Sequence, residues 1–308
     1  MKTCLVTGGA GFIGSHLVDR LLKDGNRVIV VDNMVTGKRE NLPEAHNNLE
    51  IWQFSILDKS FKTLFEYTQI DTVYHLAALT RPQVSLIDPI QTNEVNVDGT
   101  LRVLVNCKEF NVKRLVFISS SSAYGNQEIL PTPETAPLNS LSPYALSKSI
   151  GEQYCQLYQR LYHFESNCIR PFNVYGPRMN PTGYYAGAVP KFIDCLKNGS
   201  QIPWITGDGN QARDFIYVSD VVDLLVKASE SKVFGEVFNA GTGNNISINN
   251  LYKMISGLMG STLEAEHIPP VVEPSTTLAD IGKPKQLLGW EPKVNLLEGL
   301  KMTIERTI

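Results

Sequence analysis

The 308-residue chain is short of the residues that mark secreted, metal-centred and membrane-spanning proteins. Its five cysteines (Cys4, Cys107, Cys155, Cys168 and Cys195) are odd in number and form no CxxC pair, so neither a disulfide framework nor a zinc site is indicated. They read as reduced thiols of a cytoplasmic protein, most of them small buried hydrophobes. Histidine occurs five times, without a carboxylate–histidine cluster, and no metal is expected. No run approaches the ~20 apolar residues of a membrane span. The first apolar stretch is broken by glycines and continues into an amphipathic helix, unlike a signal peptide. A net charge of −3 gives no broad basic field for nucleic acid or an anionic membrane. Repeats and low-complexity tracts are also missing. With 43% hydrophobic residues, the chain can still build a large core, in one domain or two lobes.

The N-terminal half alternates regularly. Strands are predicted at Thr3–Thr7, Arg27–Val31, Leu49–Phe54, Thr72–His75, Arg114–Ile118 and Ser166–Arg170. Helices are predicted at Phe12–Lys23, Asp58–Thr68 (capped by its first residue), Asn93–Glu109 and Pro143–Leu161. This alternation implies an α/β fold, a doubly wound parallel sheet covered by helices on both faces. After Arg170 the pattern loosens. Helices are expected at Ala188–Lys197, Ser219–Ser229, Ile246–Leu258 and Leu296–Arg306, a turn at Ile205–Gly209, and strands at Asp214–Val218 and Val237–Ala240, the last returning to the main sheet. The expected division is 1–173 for the first lobe, with a returning segment near 214–244, and 174–308 for a smaller α/β lobe.

Thr7-Gly8-Gly9-Ala10-Gly11-Phe12-Ile13-Gly14 lies between a strand and a helix, and Asp32 closes the next strand. Glycine lets the backbone N–H groups approach a pyrophosphate, and the helix that follows points its positive end there. Strand before, helix after and an acid about 20 residues on are the context a dinucleotide site requires. The Asp32 carboxylate can accept from both ribose hydroxyls and would repel a 2′-phosphate, which favours NAD over NADP.

Tyr144 and Lys148 are four apart on one predicted helix face. Free tyrosine has a pKa of about 10, and a nearby ammonium is expected to lower it. Such a tyrosine can take or return the proton of a sugar hydroxyl as hydride moves. Ser120, at the C-terminal end of a strand, can hydrogen-bond the same oxygen. Alone, a tyrosine four before a lysine is mostly a solvated pair, and a serine run is mostly a polar turn. Their order after a dinucleotide loop gives the joint reading its force. Glu152 and Asp194 read as solvated helix charges, His75 as a structural strand-end residue, and Trp204 and Trp290 as packing residues.

The combination of TGGAGFIG (7–14), HLAA (75–78), Asn96-Val97-x-Gly99-Thr100, SSSSAYG (119–125), YALSK (144–148), RPFNVYGPR (170–178), GDGNQARDFIYVSD (207–220) and LGWEP (288–292) resembles the extended short-chain dehydrogenase/reductases of the NAD-dependent epimerase/dehydratase family. The resemblance runs nearly end to end. It implies a Rossmann-type first lobe, NAD held through the catalytic cycle, and a nucleotide-sugar substrate whose C4 is inverted through a 4-keto intermediate. It implies Tyr144 as base, Lys148 as its electrostatic partner and Ser120 as catalytic hydroxyl. For NAD it implies Gly8, Gly11, Phe12, Ile13, Gly14, Asp32, Asn33, Gly37, Ser55, Ile56, Leu76, Ala77, Ala78, Asn96, Ser119, Tyr144, Lys148 and Pro171. For a UDP-sugar it implies Ser120, Ser121, Tyr144, Asn173, Ala188, Val189, Arg213 and Thr277, with Asn173 and Arg213 on the diphosphate. A homodimer packed through Asn93–Glu109 and Pro143–Leu161 is also implied.

Ser121 and Ser122 stand where the family's dehydratases carry Asp-Glu, and no carboxylate is nearby for decarboxylation either; this favours epimerisation. The segment 180–191 and Thr277, at a position that is bulky in epimerases restricted to plain hexoses, point to room for a 2-acetamido group. Two departures stand out. Pro270 occupies the place of a second phosphate-binding arginine, leaving Arg178 or Arg81 to compensate. Ser55 replaces the usual adenine-side acid, with Asp58 one turn later. Another nucleotide-sugar 4-keto enzyme, or a non-catalytic NAD-responsive binding protein, remains an alternative.

Overall fold

A run such as Val28-Ile29-Val30-Val31 has no polar face, so it belongs in a sheet covered on both sides. The computed structural model, which describes residues 1–181, 187–199, 202–271 and 273–307, buries all four completely. Six strands are β1 (Thr3–Thr7), β2 (Arg27–Val31), β3 (Leu49–Trp52), β4 (Thr72–His75), β5 (Arg114–Ile118) and β6 (Glu165–Pro171). With Val237–Ala240 they form one seven-stranded sheet in the order Val237–Ala240, β6, β5, β4, β1, β2, β3, every pair parallel. Successive residues of a strand face opposite layers. Cys4 and Val6 thus join Leu17, Val18, Val221 and Leu225 on one side, while Leu5 joins Phe61, Leu104, Phe117 and Cys155 on the other. Each fully buried aliphatic chain contributes about 1.5–3 kcal/mol.

Short strand pairs make the second lobe. Asn173–Tyr175 pairs with Phe215–Tyr217, Trp204–Thr206 with Glu266–Ile268, and Ala212–Arg213 with Ile246–Ser247. The helices Ala188–Asn198, Ile248–Leu258 and Leu296–Thr307 close over Tyr175, Phe192, Ile205, Leu251 and Leu300. Phe12 and Ile13 pack against this core, so the start of the first helix, α1 (Phe12–Lys23), touches both lobes.

Several boundaries differ from the sequence reading. The helix expected from Asp58 begins at Ser60, because the Asp58 carboxylate is used to accept from the Ser55 N–H at 2.8 Å. The helix expected over Asn93–Glu109 is α-helical only from Gly99; a π-turn at Glu94–Asp98 joins it to Pro89–Asn93. Ile246 and Ser247 are drawn into a strand pair, so their helix starts at Ile248. Ile205 and Thr206 belong to a strand before the turn. Val218 already begins the next helix, whose N-cap is Tyr217 rather than Ser219. All five cysteines are buried and unpaired.

Candidate active site

The glycine turn builds the entrance of a crevice at the C-terminal ends of β1, β4 and β5, where the strand order reverses. Gly8 has φ +72°, and a Cβ on Gly14 would lie 2.1 Å from the Gly8 carbonyl oxygen, so neither position accepts a side chain. Gly11 caps α1 without a side-chain hydrogen bond, and no acid occupies the first turn. The first N–H groups of α1 are therefore free of a side-chain cap, as an anion site requires. Asp32, 8% exposed, accepts from Ala10 N at 3.0 Å and Met34 N at 2.8 Å, which fixes its carboxylate with lone pairs to spare. Gly37 backs onto it: a Cβ there would lie 2.8 Å from Asp32 Oδ2.

The crevice encloses about 480 Å³. Gly8, Gly11, Phe12, Ile13, Gly14, Asp32, Asn33, Ser55, Ile56, Leu76, Ala77, Ala78, Ser119, Ser120, Tyr144, Lys148 and Pro171 line it. The Ser119 hydroxyl, buried in its wall, has no partner among the described residues. An orphaned hydroxyl, a glycine cradle and an acid at the end of β2 fit a bound dinucleotide. Asn96 departs from expectation. Its amide receives Leu79 N at 2.8 Å and donates to Leu79 O and Ser147 Oγ, so it shapes the crevice loop from behind. His75 does the same for the floor. Nδ1 meets Thr7 Oγ1 at 2.7 Å and Nε2 meets Thr100 Oγ1 at 2.9 Å. Burial pushes its pKa down to about 3, which keeps it neutral.

The helix Pro143–Tyr162 carries Tyr144 and Lys148. Ser142 caps it by accepting from Ala145 N, and Ser85 Oγ accepts from Tyr144 N at 3.0 Å. The Tyr144 hydroxyl meets that of Ser120, which Ser122 N in turn holds. The sequence reading expected Lys148 to lower the tyrosine pKa. In the structure burial raises it, and the Ser120 hydroxyl pulls the other way. The Lys148 amine is turned to the Ile118 carbonyl at 2.9 Å, and its own burial brings it down to about 7.

Glu152 is also corrected. It is not solvated but 2% exposed, one turn beyond Lys148 on the same face, and its charge favours the ammonium. Both its oxygens bind Arg170, Nε at 2.8 Å and Nη2 at 2.6 Å. That guanidinium lies 4.6 Å from the centroid of the Tyr124 ring, whose hydroxyl donates to Asn239 Oδ1 at 2.7 Å. The 144, 148, 152 spacing was the signal for this buried row.

The substrate positions are only partly gathered. Asn173, Arg213 and Thr277 come together: Asn173 N donates to Asp214 O, Asn173 Nδ2 approaches Thr277 Oγ1 at 3.5 Å, and Thr277 N donates to Ala212 O. Val189 is buried in the core of the second lobe and Ala188 packs against that core; Gly187 reaches the crevice instead. Ser121 opens a short 3₁₀ turn behind Ser120 and does not line the crevice. Residues 182–186, part of the segment expected to fit an N-acetylated sugar, lie outside the described residues. Arg81 and Arg178 line the dinucleotide crevice, with Arg178 paired to Asp19 at 2.7 Å. Lys38, Asn41, Gln91 and Gly187 line it too; Lys38 and Gly187 sit in loops, Asn41 in a 3₁₀ turn and Gln91 in the short helix Pro89–Asn93, and no spacing rule marks them. A second cavity of about 860 Å³ lies in the smaller lobe, walled by Thr206, Gln211, His267, Pro270, Glu273 and Ser275.

A dinucleotide cradle leading to a buried serine–tyrosine–lysine group defines a class of nicotinamide-dependent enzymes. The profile of the NAD dependent epimerase/dehydratase family matches residues 4–241, and the chain belongs to that family. A UDP-glucose 4-epimerase of Mycolicibacterium smegmatis is 40% identical over 309 residues, covering 99% of this chain and 98% of the relative. Among solved structures, UDP-glucose 4-epimerase of Thermotoga maritima with UDP-glucose superposes with a TM-score of 0.94 at 40% identity. UDP-N-acetylglucosamine 4-epimerase of Methanobrevibacter ruminantium M1, in complex with UDP-N-acetylmuramic acid, gives 0.95 at 35% identity. Each of these two matches covers 99% of this chain and 98% of the other.

Proposed function

We propose that the chain is an NAD-dependent 4-epimerase of UDP-sugars, acting on UDP-glucose and UDP-galactose, their N-acetyl forms, or both. When bound, NAD supplies a two-electron oxidant for the sugar C4 and a positive ring charge that favours a phenolate beside it. Tyr144 takes the proton of the 4-hydroxyl and later returns it, while Ser120 holds the same oxygen. Lys148, fixed on the Ile118 carbonyl, stabilises the phenolate once it forms. The nucleotide lies in the cavity of the smaller lobe, with its diphosphate toward Arg213 and Asn173. Thr277, half-buried beside Asn173, leaves space for a 2-acetamido group.

One observation carries the reading beyond the family. Among the described residues that line the crevice, Asp32 is the only carboxylate, and it sits at the ribose end. Loss of water or CO₂ would need a further acid or base near the sugar; inversion needs only the tyrosine. The test is incubation with the four UDP-hexoses without added reductant, followed by proton NMR. Inversion at C4 with no other change is expected, and conversion of none of the four would refute the assignment.

The lobes divide at 173, with 214–244 returning to the first. The five buried, unpaired thiols suit a reducing cytoplasm, and no helix among the described residues is long and apolar enough to cross a membrane. A homodimer is supported by the exposed Val105, Leu146, Leu161 and Tyr162 on the helices Gly99–Glu109 and Pro143–Tyr162, with Ile87 and Ile90 beside them. Light scattering should return twice the chain mass of 34.2 kDa; a single-chain mass at micromolar concentration would contradict it.

A further inference from the structure

Arg213 is 7% exposed, and its guanidinium is placed twice over. Nη1 donates to the Ala212 carbonyl at 2.9 Å and reaches that of Ser275 at 3.4 Å, while Nη2 donates to Glu273 Oε2 at 2.7 Å. The other carboxylate oxygen, Oε1, accepts from Thr206 Oγ1 at 3.3 Å and Gln211 Nε2 at 3.4 Å. The Lys191 ammonium, bound to the Trp204 carbonyl at 2.8 Å and 3.5 Å from the centroid of the indole ring, is close enough to feel the same carboxylate. A guanidinium, a hydroxyl and an amide thus converge on one anion that the chain itself supplies. We propose that the Glu273 carboxylate is a built-in occupant of the diphosphate cradle, which the substrate must displace before its phosphates reach Arg213.

Three observations favour an occupant over a brace. Arg213 is anchored through Nη1 to backbone carbonyls independently of Glu273, so it keeps its place when the carboxylate leaves. The contacts to Oε1 are at the long limit of hydrogen bonding and are readily given up. The Glu273 side chain is 34% exposed and lines the open cavity, so it has somewhere to go. The segment 269–275 contains no basic residue, so its one ionisable side chain opposes the incoming charge. A diphosphate and this carboxylate cannot share the cradle without like-charge repulsion. Glu273 thereby sets a threshold that only a ligand carrying more than one negative charge passes, and a nucleoside without phosphates gains nothing from displacing it.

The inference rests on the placement of a nucleotide diphosphate in this cavity, and the test separates the two. Glu273→Gln keeps shape and removes charge. Calorimetric titration of the protein with inorganic pyrophosphate should show binding about ten-fold tighter in the variant, and KM for UDP-glucose should fall by a similar factor. Glu273→Ser, which removes the side chain, should do the same. Arg213→Met should abolish pyrophosphate binding in either background. Unchanged or weaker pyrophosphate binding in both Glu273 variants would overturn the inference while leaving UDP-glucose turnover, and with it the assigned function, intact. Tighter pyrophosphate binding without turnover of any UDP-hexose would support the cradle and overturn the function.

Discussion

Tyr144→Phe lowers kcat by about 10³-fold and leaves NAD bound. The magnitude is that of losing a positioned general acid–base. Among the described residues that line the crevice, the phenol oxygen is the one placed against Ser120 to take and return a proton at the sugar; the Lys148 amine is held on the Ile118 carbonyl, Asp32 is at the ribose end, and His75 is buried, neutral and fully engaged. The ring is 7% exposed, and phenylalanine fills the same space. Ser120 retains Ser122 as a partner, so no orphaned hydroxyl is created. Folding should therefore be unchanged, as should NAD content measured after release from the purified protein. A variant that keeps a tenth or more of the activity would remove Tyr144 from the chemistry.

The second large effect is on stability. Glu152→Gln leaves the Arg170 guanidinium charged and buried without its counter-ion. Breaking a buried pair from one side costs about 3–5 kcal/mol, enough to shift a denaturation midpoint plainly. Stability alone would mark Glu152 as structural, and a second readout separates the roles. Burial already brings Lys148 down to about 7, and the Glu152 charge works against that fall. Without the carboxylate, the amine gives up its proton at lower pH. Turnover that depends on the ammonium then declines at lower pH, so the alkaline limb of the kcat profile moves toward acid. An unmoved limb would show that Glu152 serves the fold and not Lys148.

Much of this was legible in the residues, for identifiable reasons. The central sheet shows in the sequence because buried parallel strands are unbroken apolar runs, as in Val28–Val31 and Leu115–Ile118. The glycine turn shows because Gly8 and Gly14 have no steric alternative. Glu152 was misread because a lone glutamate on a long helix resembles a surface charge; its partner, Arg170, is on the strand that follows, 18 residues away. The raised pKa of Tyr144 was missed for a similar reason. Helical spacing sets Tyr144 and Lys148 side by side, but does not show that the amine turns to the Ile118 carbonyl. Asn96 and Val189 were assigned to ligands by motif position, whereas packing turns the first to Leu79 and the second into a core. The Glu273 contact joins segments 60 residues apart through a loop without periodicity, and nothing local announces it.

The most direct test of the central claim, that one hydride leaves C4 and returns to it within a single crevice, is the NMR assay run on UDP-glucose bearing deuterium at C4. The account predicts UDP-galactose with the label still on C4, and no NADH accumulating at 340 nm. Loss of the label to solvent protons, or its transfer to free nucleotide, would contradict it.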